Sequence, residues 1–119
     1  MMNILWTTVS INDMDETIRF YEQVLQVKNI RRFQAGPGRE IAMLGDGEAK
    51  LEIICDRNKT AEKIHGVSMG YPVDDLDEKL AALQKMGYEP GPVISPHPGV
   101  RFAFLEDPNG INVQFVEEK

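Results

Sequence analysis

One cysteine, one tryptophan and two histidines are all that 119 residues contain of these types, and each scarcity removes a class of protein. A lone Cys55 permits no intrachain disulfide. Preceded by Ile53 and Ile54, it reads as a buried thiol at a strand end rather than a nucleophile. Neither histidine is expected to bind a metal: His65, three residues before Ser68, falls on the opposite strand face near the strand start, and His97 stands between Pro96 and Pro98 in a solvated turn. Positive charge is also short, with 13 Lys and Arg against 19 Asp and Glu and a net charge of −6. Nucleic acid and anionic membrane need clustered cations, and Arg31-Arg32 is the only adjacent basic pair, so neither partner is expected. No apolar run reaches the length of a membrane span. The opening Met1-Met2-Asn3-Ile4-Leu5-Trp6 has neither the basic start nor the small-residue cleavage site of a signal peptide, so a cytoplasmic location is expected.

What is present is a core and a repeat. At 42% hydrophobic residues a chain of this length buries one core, and a single domain over 1–119 follows. Ile11-Asn12-Asp13-Met14-Asp15-Glu16 returns as Val73-Asp74-Asp75-Leu76-Asp77-Glu78, a shift of 62 residues. The same ungapped shift lays Arg39 on Arg101, Met43 on Leu105, and Leu51-Glu52-Ile53 on Val113-Gln114-Phe115. Function is to be sought where the copies differ on their polar faces.

Each copy reads as strand, helix and three strands. Residues 4–11 alternate in strand period. Asp13 then suits a helix N-cap, with Glu16 three residues on and Met14, Ile18, Tyr21 and Leu25 at helical spacing. Asn29–Gln34, Arg39–Leu44 and Leu51–Ile54 follow as strands, separated by Gly36-Pro37-Gly38 and Gly45-Asp46-Gly47. The second copy repeats the helix with Asp75, Leu76, Glu78, Leu80 and Leu83, ending near Met86-Gly87, where glycine suits a left-handed cap. Val93–Ser95, Arg101–Glu106 and Ile111–Val116 are its later strands, with turns at Pro96-His97-Pro98-Gly99 and Asp107-Pro108-Asn109-Gly110. The boundaries are module one 3–56, a polar linker 57–64, and module two 65–117.

Strand parity divides the faces. Leu5, Val9 and Ile11; Leu51 and Ile53; Val67, Met69, Tyr71 and Val73; and Ile111, Val113 and Phe115 form apolar faces that must lie under helices. The opposite faces carry Trp6, Thr8 and Ser10; Lys50, Glu52 and Ile54; Gly66, Ser68, Gly70 and Pro72; and Asn112, Gln114 and Val116. A mixed face with an indole and residues as small as Gly66, Ser68 and Gly70 suits the lining of a concavity. The face taken by Phe102 and Phe104 depends on the hairpin register and is open at this level.

These features resemble the vicinal oxygen chelate superfamily, which contains glyoxalase I, the bleomycin-resistance proteins and the extradiol dioxygenases. The resemblance spans essentially the whole chain: the opening strand with Asn12-Asp13-Met14-Asp15, Phe20-Tyr21-Glu22-Gln23-Val24-Leu25, Val73-Asp74-Asp75-Leu76-Asp77, and Phe104-Leu105-Glu106-Asp107-Pro108-Asn109-Gly110-Ile111-Asn112-Val113-Gln114. It implies an α+β fold of two tandem βαβββ modules, forming a curled eight-stranded cup with helices on its outer face. It also implies a homodimer and, in the enzymes, a divalent metal on four residues whose positions here are Trp6, Glu52, Ser68 and Gln114.

Only Glu52 matches the family's His/Glu/His/Glu pattern. Indole has an N–H donor and no free lone pair, and a hydroxyl and a neutral amide are weak metal partners beside imidazole and carboxylate. No metal and no cofactor is therefore expected. The remaining groups suit recognition: Trp6 stacks, Glu52 pairs with a cation or acts as a base, and Thr8, Ser68, Asn112 and Gln114 supply hydrogen bonds. The leading expectation is a metal-independent small-molecule binding protein of the bleomycin-resistance type, its acidic charge suiting a cationic, antibiotic-like ligand. The alternative is a glyoxalase- or isomerase-like lyase with Glu52 as general base and Arg39, Arg101 or backbone amides as the electrophile.

Overall fold

A computed structural model describes residues 2–119. The chain divides after Lys63 into two compact units. Module one runs β1 (Trp6–Ile11), α1 (Met14–Leu25), β2 (Ile30–Gln34), β3 (Arg39–Leu44) and β4 (Lys50–Asp56). Module two runs β5 (Ser68–Pro72), α2 (Leu76–Lys85), β6 (Ile94–His97), β7 (Val100–Glu106) and β8 (Asn112–Glu118). Each module has its own four-stranded sheet, ordered β1-β4-β3-β2 and β5-β8-β7-β6. The first strand of each pairs in parallel with the last, and the other neighbours are antiparallel. The fold is α+β with two βαβββ modules.

Both helices start as their sequences dictate. The Asp13 carboxylate accepts the Glu16 amide and the Asp75 carboxylate accepts that of Glu78, each at 3.0 Å, satisfying N–H groups that the first turn leaves without partners. Asp15, Glu16, Asp77 and Glu78 place negative charge at the positive ends of the helix dipoles. α1 buries Met14, Thr17, Ile18, Phe20, Tyr21 and Val24; α2 buries only Leu76 and Leu83. α2 ends at Met86 with Gly87 in the left-handed region (φ 96°), as expected. α1 ends on Gln26 at φ 55°, where a Cβ is unfavourable and no glycine is present.

The helix-side faces carry the cores: Ile11, Ala42, Leu44, Leu51 and Ile53 in module one, and Ala103, Leu105, Ile111, Val113 and Phe115 in module two. Two members of the expected apolar faces lie elsewhere. Leu5 is 60% and Val67 36% exposed. Each precedes an edge strand, whereas the helices contact β4 and β8, the strands one place in from the edge, so their cover does not reach these openings. Cys55 is half-buried rather than buried, its Sγ 3.4 Å from the Asn12 carbonyl.

The repeat is less regular than an ungapped shift. Cys55 faces Glu40 in module one and Glu117 faces Arg101 in module two. Cys55 to Glu117 is a shift of 62, while Glu40 to Arg101 is a shift of 61. The β7–β8 connection is one residue longer than β3–β4, so the structural counterpart of Arg101 is Glu40, not Arg39, and that of Leu105 is Leu44, not Met43. Burial agrees, because Ala42 and Leu44 are buried as Ala103 and Leu105 are. The longer connection is held by Asp107, 4% exposed, whose Oδ1 accepts the amides of Asn109 and Ile111 at 2.8 and 2.9 Å. The turn at Pro96–Gly99 is also tighter than expected. His97 already pairs with Val100, which leaves Pro98-Gly99 as the connection.

Each module ties the first turn of its helix to its sheet through arginine. Arg32 on β2 holds Asp15 at 2.8 Å and Glu40 at 2.9 Å, and these bonds, that to Glu40 first, hold the guanidinium more firmly protonated. In module two Arg101 on β7 holds Asp77 at 2.8 Å and the buried Glu117 at 3.4 Å. Glu117 also accepts the Leu76 amide at 2.8 Å, a second cap on α2. The linker is fastened at both ends. The Asn12 amide group exchanges two hydrogen bonds with the Ala61 backbone, and the Ile64 amide donates to the Asn109 carbonyl.

No helix among the described residues is long and apolar enough to cross a membrane.

Removing the turn-holding carboxylate by Asp107→Ala should lower unfolding free energy by about 2 kcal/mol, because two buried amides lose their acceptor; urea denaturation measures this. The Arg101 hydrogen bond lowers the Asp77 pKa. A carboxylate depressed in the folded state stabilises it above the unfolded pKa of about 4 and loses that contribution as pH falls through the folded value. The melting temperature of Asp77→Asn should therefore converge on that of the unsubstituted protein as pH drops below about 4, with the gap widest at neutral pH.

Candidate functional site

Parity on the sheet sends one set of side chains of module one away from the helix. Trp6 lies beside Lys50, Thr8 beside Glu52 and Ser10 beside Ile54. Across the sheet Glu52 faces Met43 and Ile54 faces Ile41, and these in turn face Arg31 and Phe33. The face therefore carries Thr8, Glu52, Met43 and Arg31 as one row and Ser10, Ile54, Ile41 and Phe33 as the next. Trp6, the first residue of the edge strand, is 46% exposed.

Among the described residues Glu52 makes no ion pair with Lys50 or Arg101. Its Oε1 accepts the Thr8 hydroxyl at 2.6 Å. Arg101 is held by Asp77 and Glu117 on the helix side of its own module, so it is not available as an electrophile beside a substrate on the opposite face.

Module two presents a second, different face. Ser68 lies beside Asn112 and Gly70 beside Gln114. A Cβ on Gly70 would stand 3.4 Å from Gln114 Oε1, so glycine leaves the amide its room. Phe104 faces Gln114 and Phe102 faces Val116, which resolves the open question: both rings lie on this face, edge to face at 5.6 Å and 75°. On the helix side the chemistry is structural. Lys79 sits 5.9 Å from the Phe115 ring centroid with its pKa lowered by burial, and burial with the nearby Asp107 raises that of Tyr71.

The sequence-derived site residues thus fall into two groups: Trp6, Thr8 and Glu52 share the non-helical face of module one, and Ser68, Asn112 and Gln114 that of module two. Among the described residues no three His, Cys, Asp or Glu side chains are arranged to hold a metal ion. At the four positions the resemblance points to, Glu52 is the only anionic donor, and its Oε1 is already bonded to Thr8. That donor set does not fit a divalent metal.

Sequence reasoning missed a hollow on this face. It measures about 290 Å³ and is lined by Trp6, Asn29, Arg31, Met43, Gly45 and Lys50. Arg31 had been noted only as half of a small basic pair. Its placement beside Lys50 and Trp6 depends on the β2–β3 register, which the sequence does not encode legibly.

Two βαβββ modules, each one helix on a four-stranded sheet, define an α+β fold of tandem modules. The model of the Glyoxalase/Bleomycin resistance protein/Dioxygenase superfamily matches residues 3–115, and the chain belongs to that superfamily. A lactoylglutathione lyase of Haemophilus influenzae is 33% identical, covering 99% of this chain and 94% of that one. Among crystal structures, the trypanothione-dependent glyoxalase I of Leishmania major superposes with a TM-score of 0.80 at 23% identity, covering 99% of this chain and 88% of that one. TnmS3, an antibiotic-binding protein from Streptomyces, gives 0.74 at 19% identity over 100% and 98%. At these identities the two structures show a shared fold.

Because Trp6 is half-exposed and at an edge, Trp6→Ala should move the melting temperature by no more than about 3 °C. A drop several times larger, read by differential scanning calorimetry, would make the indole a structural plug.

Proposed function

We propose that this protein, as a homodimer, binds a small organic molecule without the help of a metal, and that the non-helical face of module one carries the principal contacts. The observation behind this reading is a half-exposed indole at the rim of a hollow, on the module-one face that also carries Glu52. Exposed aromatic rings beside concavities are strong binding determinants. Thr8 and Glu52 add a fixed polar pair, and Ser68, Asn112 and Gln114 offer a second set of hydrogen-bonding groups on module two. The fold it shares with an antibiotic-binding protein supports a binding role. The expected cationic ligand does not follow from the hollow, whose charged lining groups are Arg31 and Lys50.

A second reading is favoured by the relatives named lactoylglutathione lyase. In it Glu52 removes a proton, Thr8 holds the carboxylate in place, and developing negative charge is met by cations of the same face. Lactoylglutathione formation that survives chelation and disappears in Glu52→Gln would establish it.

For the binding reading, elemental analysis of protein purified from cells should find well under one metal per chain, and light scattering should give twice the 13.4 kDa chain mass. Native mass spectrometry should show an organic adduct whose affinity falls by roughly 2 kcal/mol or more in Trp6→Ala. About one bound metal per chain, held by the family positions, would sink the proposal.

A further inference from the structure

The hollow beside Trp6 exists because one position on the sheet has no side chain. Gly45 follows directly on the Leu44–Leu51 pair and donates its amide to the Asn29 carbonyl at 2.9 Å. It therefore lies between Lys50 on one side and Asn29 on the other. Nothing stands within 4 Å of where its Cβ would be, and its φ of 102° favours glycine over any other residue. The space left open is walled by the Trp6 indole and the Met43 thioether, with Lys50, Arg31 and Asn29 as its polar groups.

Charge on this wall is of one sign. Neither Lys50 nor Arg31 makes an ion pair among the described residues; Arg31 lies over the Phe33 ring at 5.9 Å, a contact that orients a guanidinium without neutralising it. The carboxylate on the same face, Glu52, is bonded to Thr8 and is not among the lining groups. Two cations against one nearby carboxylate leave room for a single negative charge, although the chain as a whole is acidic.

The repeat supplies an internal control. By the shifts of 61 and 62 that relate the strands, the counterparts of Gly45 and Lys50 are Glu106 and Asn112, which face each other across the sheet. Module two thus puts a carboxylate where module one has empty space, and a neutral amide where module one has an ammonium. The two copies differ on their polar faces at the positions that make a cationic hollow.

We propose that this hollow binds a small planar organic carboxylate, a monocyclic or bicyclic aromatic acid, with its ring against Trp6 and its carboxylate on Lys50 and Arg31. The inference rests on the binding reading above and specifies its ligand class. A volume of about 290 Å³ lies at the small end of organic-ligand sites, which suits one or two rings and not an extended antibiotic. The planar guanidinium fork matches a carboxylate in two-point geometry, and an ammonium beside it adds a point charge.

Trp6 is the only tryptophan, so quenching of its fluorescence reports on this site directly. Three probes decide the matter: 4-nitrobenzoate, its neutral isostere 4-nitrobenzamide, and 4-nitrophenyl phosphate. Saturable quenching by the benzoate at least tenfold tighter than by the amide is expected. In Lys50→Gln/Arg31→Gln that ratio should fall to near one with amide affinity unchanged, which shows that the hollow itself is intact. Equal affinity for acid and amide in the unsubstituted protein would overturn the carboxylate assignment and leave metal-free binding standing. Tighter binding of the phosphate ester would overturn it in favour of a dianion. No saturable quenching by any probe would also overturn it, while the organic adduct sought by native mass spectrometry tests the broader reading separately.

Discussion

A single helix laid against a four-stranded sheet can hide one of its faces, and each module of this protein is organised by that limit. Period-two alternation assigns alternate side chains to opposite faces, so apolar residues at one parity commit the other parity to solvent or to a ligand. α1 and α2 lie against β4 and β8, and the fully buried residues Ile53, Val113 and Phe115 belong to those strands. The opposite parity places Trp6, Lys50 and Glu52 on the free face of module one, and Gly70, Gln114 and Phe104 on that of module two.

Holding the helix in place is largely an electrostatic matter at its first turn. Both modules clasp the first acidic residue of the helix with a sheet arginine, yet the arginine comes from β2 in one copy and β7 in the other. The difference follows from the one-residue change in hairpin length, which puts Arg101 at the position that Glu40 fills in module one. Module two thereby gains the buried Glu117, satisfied by Arg101 and by the Leu76 amide. A carboxylate at 5% exposure is tolerable only with such partners. Duplication has preserved the interaction while changing the residues that make it.

The same divergence separates the faces chemically. Module one carries an indole and an open Gly45 beside Lys50 and Arg31, where module two carries hydroxyl, amide and carboxylate groups. Net charge is a poor guide here, because a ligand in contact with the wall responds first to the charges within a few ångströms, and those beyond a Debye length are screened.

Local chemistry made much of this protein legible in its residues. Helix caps at Asp13 and Asp75, the left-handed stop at Gly87, and the alternation in Trp6–Ile11 and Lys50–Asp56 all depend on neighbours in sequence or on the side chains themselves. What only the tertiary structure decided depends on register and on where cover ends. The one-residue slip between β3 and β7, the exposure of Leu5 and Val67 beyond the helices, the face taken by Phe102 and Phe104, and the meeting of Arg31 with Lys50 and Trp6 across a gap at Gly45 were all of this kind. Strand pairing brings together residues distant in the chain, and a change of one residue in a hairpin alters which side chains meet without altering the pattern of either strand.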